Sequence, residues 1–388
     1  MSRIPELELP RFLEASLALG HPWVYRDHVP RAFAAEPGTI VKLRAGGFTA
    51  FALWDAESQI ALRVYSTREA PSAAWVEERV KSAWALRAGV RGQRTTAYRW
   101  VFGEGDGLPG IVVDLYGQFA VMALYAQGLE RIAAWVTDAL RGTTELAGIA
   151  RRRGEPGEKL EVVWGRQPPS ELIVEEHGVR LRADLALGQK TGLFLDHREN
   201  RRFIGSIATG RRVLNLFSYT GAFSLHAALG GAESVTSVDV AAGAMEAARE
   251  NFRLNGLDAD AHDFVVADVF EHLEQAHRRG QRWDLVISDP PSFARSKQQA
   301  KQALRAYAKL NAMALRVTEP GGLLAAASCT SQVGPDAFRQ TLAEAAGRAK
   351  RRFQIVHEAG QPPDHPVFAQ HLEGRYLKFV VGRALVPA

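Results

Sequence analysis

Residues 213–224 read VLNLFSYTGAFS, an apolar run of strand length that passes through a tight turn into a helix. From about residue 185 onward, further strands are expected near RRVLNLF, SVTSVDV, DFVVAD, WDLVISD, GLLAAAS, QIVHEA and YLKFVVG. Helices are expected between them at 221–229, 242–254 and 297–317, because glycine, Asn-Gly or proline follows each stretch. This alternation predicts an α/β domain with a doubly wound parallel sheet.

The chain of 388 residues is long enough for two or three domains, and changes in its pattern predict three. Residues 1–70 contain short alternating runs with glycine-rich turns, which predicts a small β-barrel. Residues 71–184 predict a central α+β domain with two helices and a hairpin whose tip, GEGDGLPG, is expected to be irregular. Residues 151–171 are expected to form an exposed loop, which either contacts a phosphate backbone or is simply solvated. Residues 185–388 form the third domain.

Composition places the chain among folded globular proteins, with 46% hydrophobic and 23% charged residues. The first twenty residues lack a continuous apolar core, and no window of about 18 apolar residues occurs, so neither a signal peptide nor a membrane span is expected. One cysteine excludes an internal disulfide framework, so the expected location is the cytoplasm. The sequence shows no clustered set of Cys and His ligands, and no metal is expected.

The charge balance is modestly basic, with a formal net charge of +5 and a pI of about 9.4. Arginine is much commoner than lysine, and its guanidinium suits bidentate phosphate contacts and stacking on bases. A polyanionic partner is therefore favoured, although genomic base composition explains the arginine content equally well. The sequence leaves the oligomeric state open, including a homodimer.

Ligands of open α/β sheets bind beyond the carboxyl ends of the strands, so the residues after each strand are the candidates for cofactor binding. Asp239 ends the second strand and can accept hydrogen bonds from both ribose hydroxyls, and Asp268 after the third can meet an adenine amino group. Each aspartate alone is more often a helix cap, but the ordered set favours S-adenosylmethionine. A dinucleotide would require G-x-G-x-x-G, which the first turn lacks. The cofactor contacts predicted in that turn are Asn215, Phe217, Tyr219 and Gly221, and after the fourth strand Asp289 is added.

Six stretches carry a resemblance to a known family: GHPWVYRDHV at 20–29, FGEGDGLPGIVVDLYG at 102–117, GQKTGLFLDHREN at 188–200, VLNLFSYTGAFS at 213–224, SDPPSFARSK at 288–297 and SCTSQV at 328–333. Through them the chain resembles the RNA 5-methylcytosine methyltransferases of the single-cysteine type that act on large-subunit ribosomal RNA and carry an N-terminal PUA domain. DPPSF is shared with relatives that methylate guanine. The resemblance implies a PUA barrel at 1–70, a central α+β domain at 71–184 and a Rossmann-like methyltransferase domain at 185–388.

The same resemblance implies that four residues of GQKTGLFLDHREN line the cofactor or the active site. They are Gln189, Thr191, Asp196 and Arg198. The alternative is that these residues form a charged loop that anchors the junction between domains.

Cys329 is the candidate nucleophile, because carbon 5 of cytosine reacts poorly with a sulfonium methyl group until a thiolate adds to carbon 6. The cysteine follows GLLAAAS, at the carboxyl edge of the predicted sheet. A lone cysteine after an apolar strand is more often a small buried residue, but its place at this edge favours catalysis. No cysteine follows Pro290 and Pro291, where the two-cysteine branch of these enzymes has one.

Asp289 is also the candidate to hold the target base through the exocyclic amine or a protonated ring nitrogen. Phe293 is expected to stack on the base or to belong to the core, and the base itself must be unstacked to react. Pro290, Phe293, Arg295 and Lys297 are the predicted substrate contacts. The group that removes the carbon 5 proton stays unassigned among Asp364, His365 and water.

Three other functions are consistent with parts of this pattern. The same fold can methylate a guanine, for which no nucleophilic cysteine is needed. A non-catalytic RNA-binding or assembly factor would bind RNA without S-adenosylmethionine. A small-molecule methyltransferase is disfavoured by the basic charge and the two additional domains.

Overall fold

The computed structural model describes residues 4–152, 160–185, 192–294 and 296–387, apart from the side chain of Lys297. The chain divides into two compact units. The first contains Met1–Gly178, Ala183–Leu195 and Pro363–Gly374, and the second contains Val179–Arg182, Asp196–Pro362 and Arg375–Ala388. The division into three domains at residues 70 and 184 stays a prediction.

The N-terminal part of the first unit is a five-stranded sheet with the order β1-β3-β4-β5-β2. Its elements are β1 (Glu6–Glu8), α1 (Glu14–Ala18), β2 (Trp23–Tyr25), β3 (Ile40–Ala45), β4 (Phe48–Trp54) and β5 (Ile60–Ser66). Alternate residues of β3 are buried, among them Val41, Leu43 and Ala45, which are fully enclosed. Burial of this face, rather than hydrogen bonding alone, stabilises the sheet.

The rest of the first unit contains a second five-stranded sheet with the order β10-β9-β8-β7-β6. Helices α2 and α4 pack against each other beside it. Its elements are α2 (Ala73–Leu86), α3 (Ala88–Arg91), β6 (Ala97–Phe102), β7 (Ile111–Tyr116), β8 (Phe119–Leu124), α4 (Glu130–Thr143), β9 (Gly148–Arg152) and β10 (Glu161–Gly165), followed by β11 (Leu172–Glu176).

Two sequence expectations for this region are wrong. The hairpin tip is not wholly irregular, because Gly103–Asp106 forms a turn of 3₁₀-helix, and Asp106 accepts two 2.6 Å hydrogen bonds from the buried Arg87. The segment 151–171 is not simply an exposed loop. Arg151 and Arg152 end β9 with 7% and 6% exposure, and Arg151 pairs with Glu130 and Glu161. Residues 153–159 lie outside the described part of the chain.

The second unit is built on a seven-stranded sheet with the order β15-β14-β13-β16-β17-β19-β18, which confirms the predicted doubly wound architecture. The first five strands in this order are parallel, and β19 runs antiparallel to both of its neighbours. Its strands are β13 (Arg212–Leu216), β14 (Ser234–Asp239), β15 (Asp263–Val266), β16 (Trp283–Ser288), β17 (Thr318–Ser328), β18 (Arg352–Ala359) and β19 (Lys378–Leu385). β12 (Val179–Ala183) also begins in this unit but is not one of the seven strands.

The helices of this unit cover both faces of the sheet. They are α5 (Arg198–Ile207), α6 (Ala222–Leu229), α7 (Ala242–Leu254), α8 (Val269–Arg278), α9 (Ala300–Arg316) and α10 (Pro335–Arg348). The helix predicted at 297–317 begins as a 3₁₀ turn at Lys297–Gln299 and becomes α-helical only at Ala300. No helix in the part of the chain that the structure describes is long and apolar enough to cross a membrane.

The position of the functional site follows from the strand order. β13 lies between β14 and β16, so the chain moves outward in both directions from this strand, and the crevice opens at its carboxyl end. Leu216 of β13 is level with Ser288 of β16. The turns after β13, β14, β16 and β17 therefore meet at one edge of the sheet.

Candidate functional site

The turn after β13 has an unusual backbone. Phe217 and Tyr219 have φ angles of 55° and 47°, in the left-handed region that bulky residues seldom adopt, and Gly221 follows with 74°. Such conformations cost about 1–3 kcal/mol each and persist only where surrounding contacts enforce them. Bulky residues held in this way at the carboxyl edge of the sheet indicate a turn shaped for a ligand.

Asp239 at the end of β14 supplies one of those contacts. Its Oδ2 accepts a 2.8 Å hydrogen bond from the Tyr219 amide, and its Oδ1 accepts a 3.0 Å bond from the Ala241 amide. Each carboxylate oxygen has two lone pairs, so both can still accept a hydroxyl proton. Asn251 of α7 adds a 3.0 Å bond from its amide to the Thr220 carbonyl. Asp239 therefore fixes the turn and remains able to bind a pair of ribose hydroxyls.

Asn215 lies beneath this turn. Its side chain is 1% exposed and donates a 2.9 Å hydrogen bond to Ser224 Oγ of α6. Among the described residues, its Oδ1 has no hydrogen-bond partner. Asn215 thus lies below the turn and not on the open surface. Phe217 and Tyr219 are half-buried at that surface.

Asp268 follows β15 and is the N-cap of α8. Its Oδ1 accepts a 3.1 Å hydrogen bond from the Glu271 amide, which is the structural role that an aspartate after a strand most often has. The other oxygen is not used by this cap, and the residue is exposed. Capping therefore does not exclude a contact with an adenine amino group.

Asp289 and His197 form a pair that sequence reasoning missed. The His197 Nε2 lies 3.3 Å from Asp289 Oδ2, and the Asn200 side-chain amide lies 3.1 Å from His197 Nδ1. The same amide nitrogen donates to the Gly360 carbonyl, which fixes its orientation. With Nδ1 accepting, Nε2 carries the ring proton and donates it towards Asp289. The pair joins positions 92 residues apart, and no local pattern indicates it.

The resemblance also pointed to the residues on either side of His197, and both are deeply buried. Asp196 is 2% exposed and accepts a 2.6 Å hydrogen bond from the Tyr376 hydroxyl. Arg198 is fully buried and bonds to Glu199 at 3.0 Å. Neither side chain lies on an open surface. The structure therefore gives both residues contacts that support the site. Gln189 and Thr191 lie outside the described residues.

The prolines after Asp289 lead into a short turn. Pro290 is buried, and the half-buried Phe293 packs edge-on against Tyr307 with ring centroids 4.8 Å apart. This contact favours a core role for Phe293 over stacking on a base. Arg295 and the side chain of Lys297 lie outside the described residues.

Cys329 directly follows β17 and is half-buried. The next residue, Thr330, is fully buried, and its Oγ1 lies 2.7 Å from the Tyr307 hydroxyl and 3.1 Å from Ser292 Oγ. Burial raises the pKa of Tyr307, hydrogen bonds to Ser328 and Thr330 oppose that shift, and negative charge at Cys329 and Asp289 adds to it. The thiol and the carboxylate therefore lie near the same phenol.

Asp364 and His365, two candidates for proton removal, belong to the first unit. Asp364 is 1% exposed, and its Oδ2 accepts a 2.9 Å hydrogen bond from the Arg99 amide. This contact gives Asp364 a structural role.

The same unit contains a grouping that the sequence spacing did not reveal. His21, His371 and Glu373 offer ligand atoms within 4.8 Å of one another. The 3.4 Å contact between His21 and Glu373 ties Pro363–Gly374 to this unit.

Two protein families match the chain. Residues 124–377 match the S-adenosylmethionine-dependent methyltransferases, and residues 8–67 match the PUA-like domain.

Relatives match along almost their whole length. A ribosomal RNA large subunit methyltransferase I from Erwinia tasmaniensis is 37% identical over 385 residues, with 96% of this chain and 97% of the relative covered. A ribosomal RNA large subunit methyltransferase from Deinococcus radiodurans is 39% identical, with 96% of each chain covered.

Solved structures agree with the fold. One, described as a methyltransferase complexed with SAH, superposes with a TM-score of 0.88 at 26% identity and covers 98% of this chain and all of its own. Another, described as a SAM-dependent methyltransferase from Streptococcus mutans, has a TM-score of 0.86 at 25% identity, with 98% of this chain and 100% of its own covered. A Rossmann-like methyltransferase fold with an N-terminal PUA-like domain and S-adenosylmethionine as cofactor is thereby confirmed.

Proposed function

Because the chain belongs to the S-adenosylmethionine-dependent methyltransferase family that includes ribosomal RNA large subunit methyltransferase I, we propose that it methylates carbon 5 of a cytosine in large-subunit ribosomal RNA. The observation that carries the choice of cytosine is the position of Cys329. It follows β17, which lies beside β16, and Asp289 follows β16, so one edge of the sheet offers a thiol and a carboxylate together.

The described residues fit the cofactor. The Asp239 carboxylate can accept the ribose hydroxyls while it holds the turn at 217–221, and Asp268 can meet the adenine amino group while it caps α8. Adding a Cβ to Gly221 would bring it within 2.8 Å of the Ala248 Cβ, so close packing shapes this turn. When bound, S-adenosylmethionine supplies a methyl group on a positively charged sulfur.

Cys329 makes carbon 5 of the base nucleophilic. The thiolate forms a bond to carbon 6, and the ring electrons that this addition releases make carbon 5 reactive like an enamine. After carbon 5 gains the methyl group, a base removes its proton, and the electron pair of that C–H bond expels the thiolate as the carbon–sulfur bond breaks. The cysteine is thereby regenerated.

Asp289 is the group proposed to hold the base. As a carboxylate it accepts a hydrogen bond from the exocyclic amine, and as an acid it can protonate ring nitrogen 3, which favours thiolate addition. His197 Nε2 lies 3.3 Å from one of its oxygens and leaves the other available, so the histidine orients the carboxylate. Phe293, already packed against Tyr307, is proposed to form the pocket wall rather than a stacking platform.

RNA binding is assigned to the PUA-like region and to the basic charge of the whole chain. Contacts with phosphates position a nucleic acid without reading its sequence, so they suit a non-specific anchor. A cytosine in a helix hides its ring carbons in the base stack, and the reactive base must therefore be flipped out or already unstacked.

The test measures methyl transfer from labelled S-adenosylmethionine to unmodified large-subunit RNA, followed by identification of the labelled nucleoside. We expect 5-methylcytosine from the wild type. The yield of this nucleoside from Cys329→Ala should be at least about a hundredfold lower, since the nucleophile is lost. Ser331→Ala, which changes an exposed residue two positions away, is the matched control and should retain activity. A methylguanine made equally well by Cys329→Ala would overturn the cysteine mechanism and leave the fold and cofactor unaffected. RNA binding without any methyl transfer would support an assembly factor instead.

A further inference from the structure

Lys378, the first residue of β19, is withdrawn from solvent in an unusual way. It lies opposite Ser328 in the antiparallel pairing of β17 with β19 and is only 4% exposed. Its Nζ donates hydrogen bonds of 2.6 Å to the Thr330 carbonyl and 2.7 Å to the Tyr376 carbonyl. Lysine is almost never fully buried unless its charge is matched, so this position calls for a charge partner.

Cys329, the residue between Ser328 and Thr330, is the candidate for this partner. Lys378 is level with the first of them in the sheet and bonds to the second, so its ammonium lies against the turn that carries Cys329. An ammonium has three N–H groups, and the two carbonyls use only two of them. Among the described residues, Tyr307 of α9 interacts electrostatically with both Cys329 and Asp289, which follows β16.

We propose that Lys378 is a positioning residue that holds the Cys329 turn and stabilises the thiolate form of Cys329. This inference rests on the proposed function, in which that thiolate attacks the base. Carbonyls from two separate segments fix the ammonium in place, so the positive charge remains beside the sulfur without rearrangement during the reaction.

The electrostatics of the pair agree with this arrangement. Burial lowers the pKa of Lys378 to about 8, and the negative charge of Cys329 acts in the opposite direction and raises it. Electrostatic coupling is reciprocal, so a thiolate that favours the ammonium is favoured by it to the same extent. At neutral pH most of the lysine is protonated. An ordinary thiol, with a pKa of about 8.5, would be largely uncharged at the same pH.

The experiment uses the fact that the chain has one cysteine, so every alkylation event reports Cys329. Rates of carbamidomethylation by iodoacetamide are measured from pH 5.5 to 10 on the folded wild type, Lys378→Gln, Lys378→Met and Lys378→Arg. We expect a wild-type midpoint below about 8.5 and a midpoint at least about one pH unit higher in the two uncharged variants. Lys378→Arg, which keeps the charge, should keep a low midpoint.

Burial raises the pKa of a thiol, so greater exposure of the sulfur would lower the midpoint. A purely structural role of Lys378, whose loss opens the turn, therefore predicts no upward shift. A wild-type midpoint at or above about 8.5, or an unchanged midpoint in Lys378→Gln and Lys378→Met, would overturn the inference. If neither uncharged variant gives a folded circular dichroism spectrum, the wild-type midpoint decides alone. Alkylation needs no RNA, so a low midpoint in an enzyme whose Cys329→Ala variant still methylates would leave this pair intact and refute only the proposed nucleophile.

Discussion

Replacing Gly221 by alanine should distort the cofactor turn for two separable reasons. Alanine at a φ of +74° is disfavoured by about 1–2 kcal/mol. The new methyl group would also lie 2.8 Å from the Ala248 Cβ and 3.5 Å from its Cα. Alanine has no rotamer by which it could move away, so either α7 or the turn must shift, which adds about 1–3 kcal/mol. The expected total loss of stability is about 2–5 kcal/mol.

Gly256→Ala isolates the first of these effects. Gly256 has a φ of +75°, but no heavy atom lies within 4 Å of an added Cβ. It should therefore lose only the conformational part, about 1–2 kcal/mol. Urea denaturation measures both variants, and calorimetric titration with S-adenosylmethionine should show weaker binding, by about tenfold or more, in Gly221→Ala alone. Equal destabilisation of the two variants, or undiminished cofactor binding by Gly221→Ala, would refute the reasoning.

Three further outcomes are expected. Asp239→Asn should weaken S-adenosylmethionine binding about tenfold, because the amide side chain has one accepting oxygen and cannot accept from both backbone N–H groups that the carboxylate holds. Titration calorimetry on this variant and on Asp268→Ala measures the change in affinity. Asp289→Asn should lower the rate of methyl transfer about a hundredfold or more with little change in cofactor affinity, as single-turnover kinetics would reveal. The pKa of Lys378 falls from 10.5 to about 8 on folding, so the unfolded chain binds more protons between those values. Stability relative to Lys378→Met should then rise with pH across that window by about 3 kcal/mol, and a flat difference between pH 7.5 and 10.5 would contradict the assigned burial.

The sequence predicted the seven strands of the large sheet because each is a short apolar run between turn residues, a property that is local. It did not predict that β19 would lie between β17 and β18, since strand order depends on pairing between distant segments. For the same reason Arg151 and Arg152 read as a solvated loop, although they are buried at the end of β9. Two arginines in a glycine-containing stretch carry no local sign of Glu130 and Glu161, which neutralise the first of them.

The candidate site shows the same limit. Cys329, Asp239 and Asp289 were predicted because each lies at or just after the end of a strand, and the carboxyl ends of parallel strands share an edge. The residues proposed to support them are His197, which lies in a 3₁₀ turn, and Lys378, which begins a strand that runs antiparallel to both of its neighbours; the rule about carboxyl ends applies to neither. Sequence position could indicate candidate groups at the edge of the sheet but not the groups that contact them.

The two supports act on different partners of one reaction. The Nε2 of His197 lies 3.3 Å from the carboxylate that is proposed to hold the base, and the ring is itself fixed by Asn200. Lys378 is fixed by two carbonyls and places its charge at the turn of the proposed nucleophile. Thiolate addition to carbon 6 pushes electron density towards the ring nitrogen and amine that face Asp289, so stabilising the thiolate and orienting the carboxylate assist opposite ends of the same electron flow. If the two supports assist the same step as one unit, loss of both should raise the barrier to methyl transfer by less than the sum of the two single losses, whereas independent contributions should add.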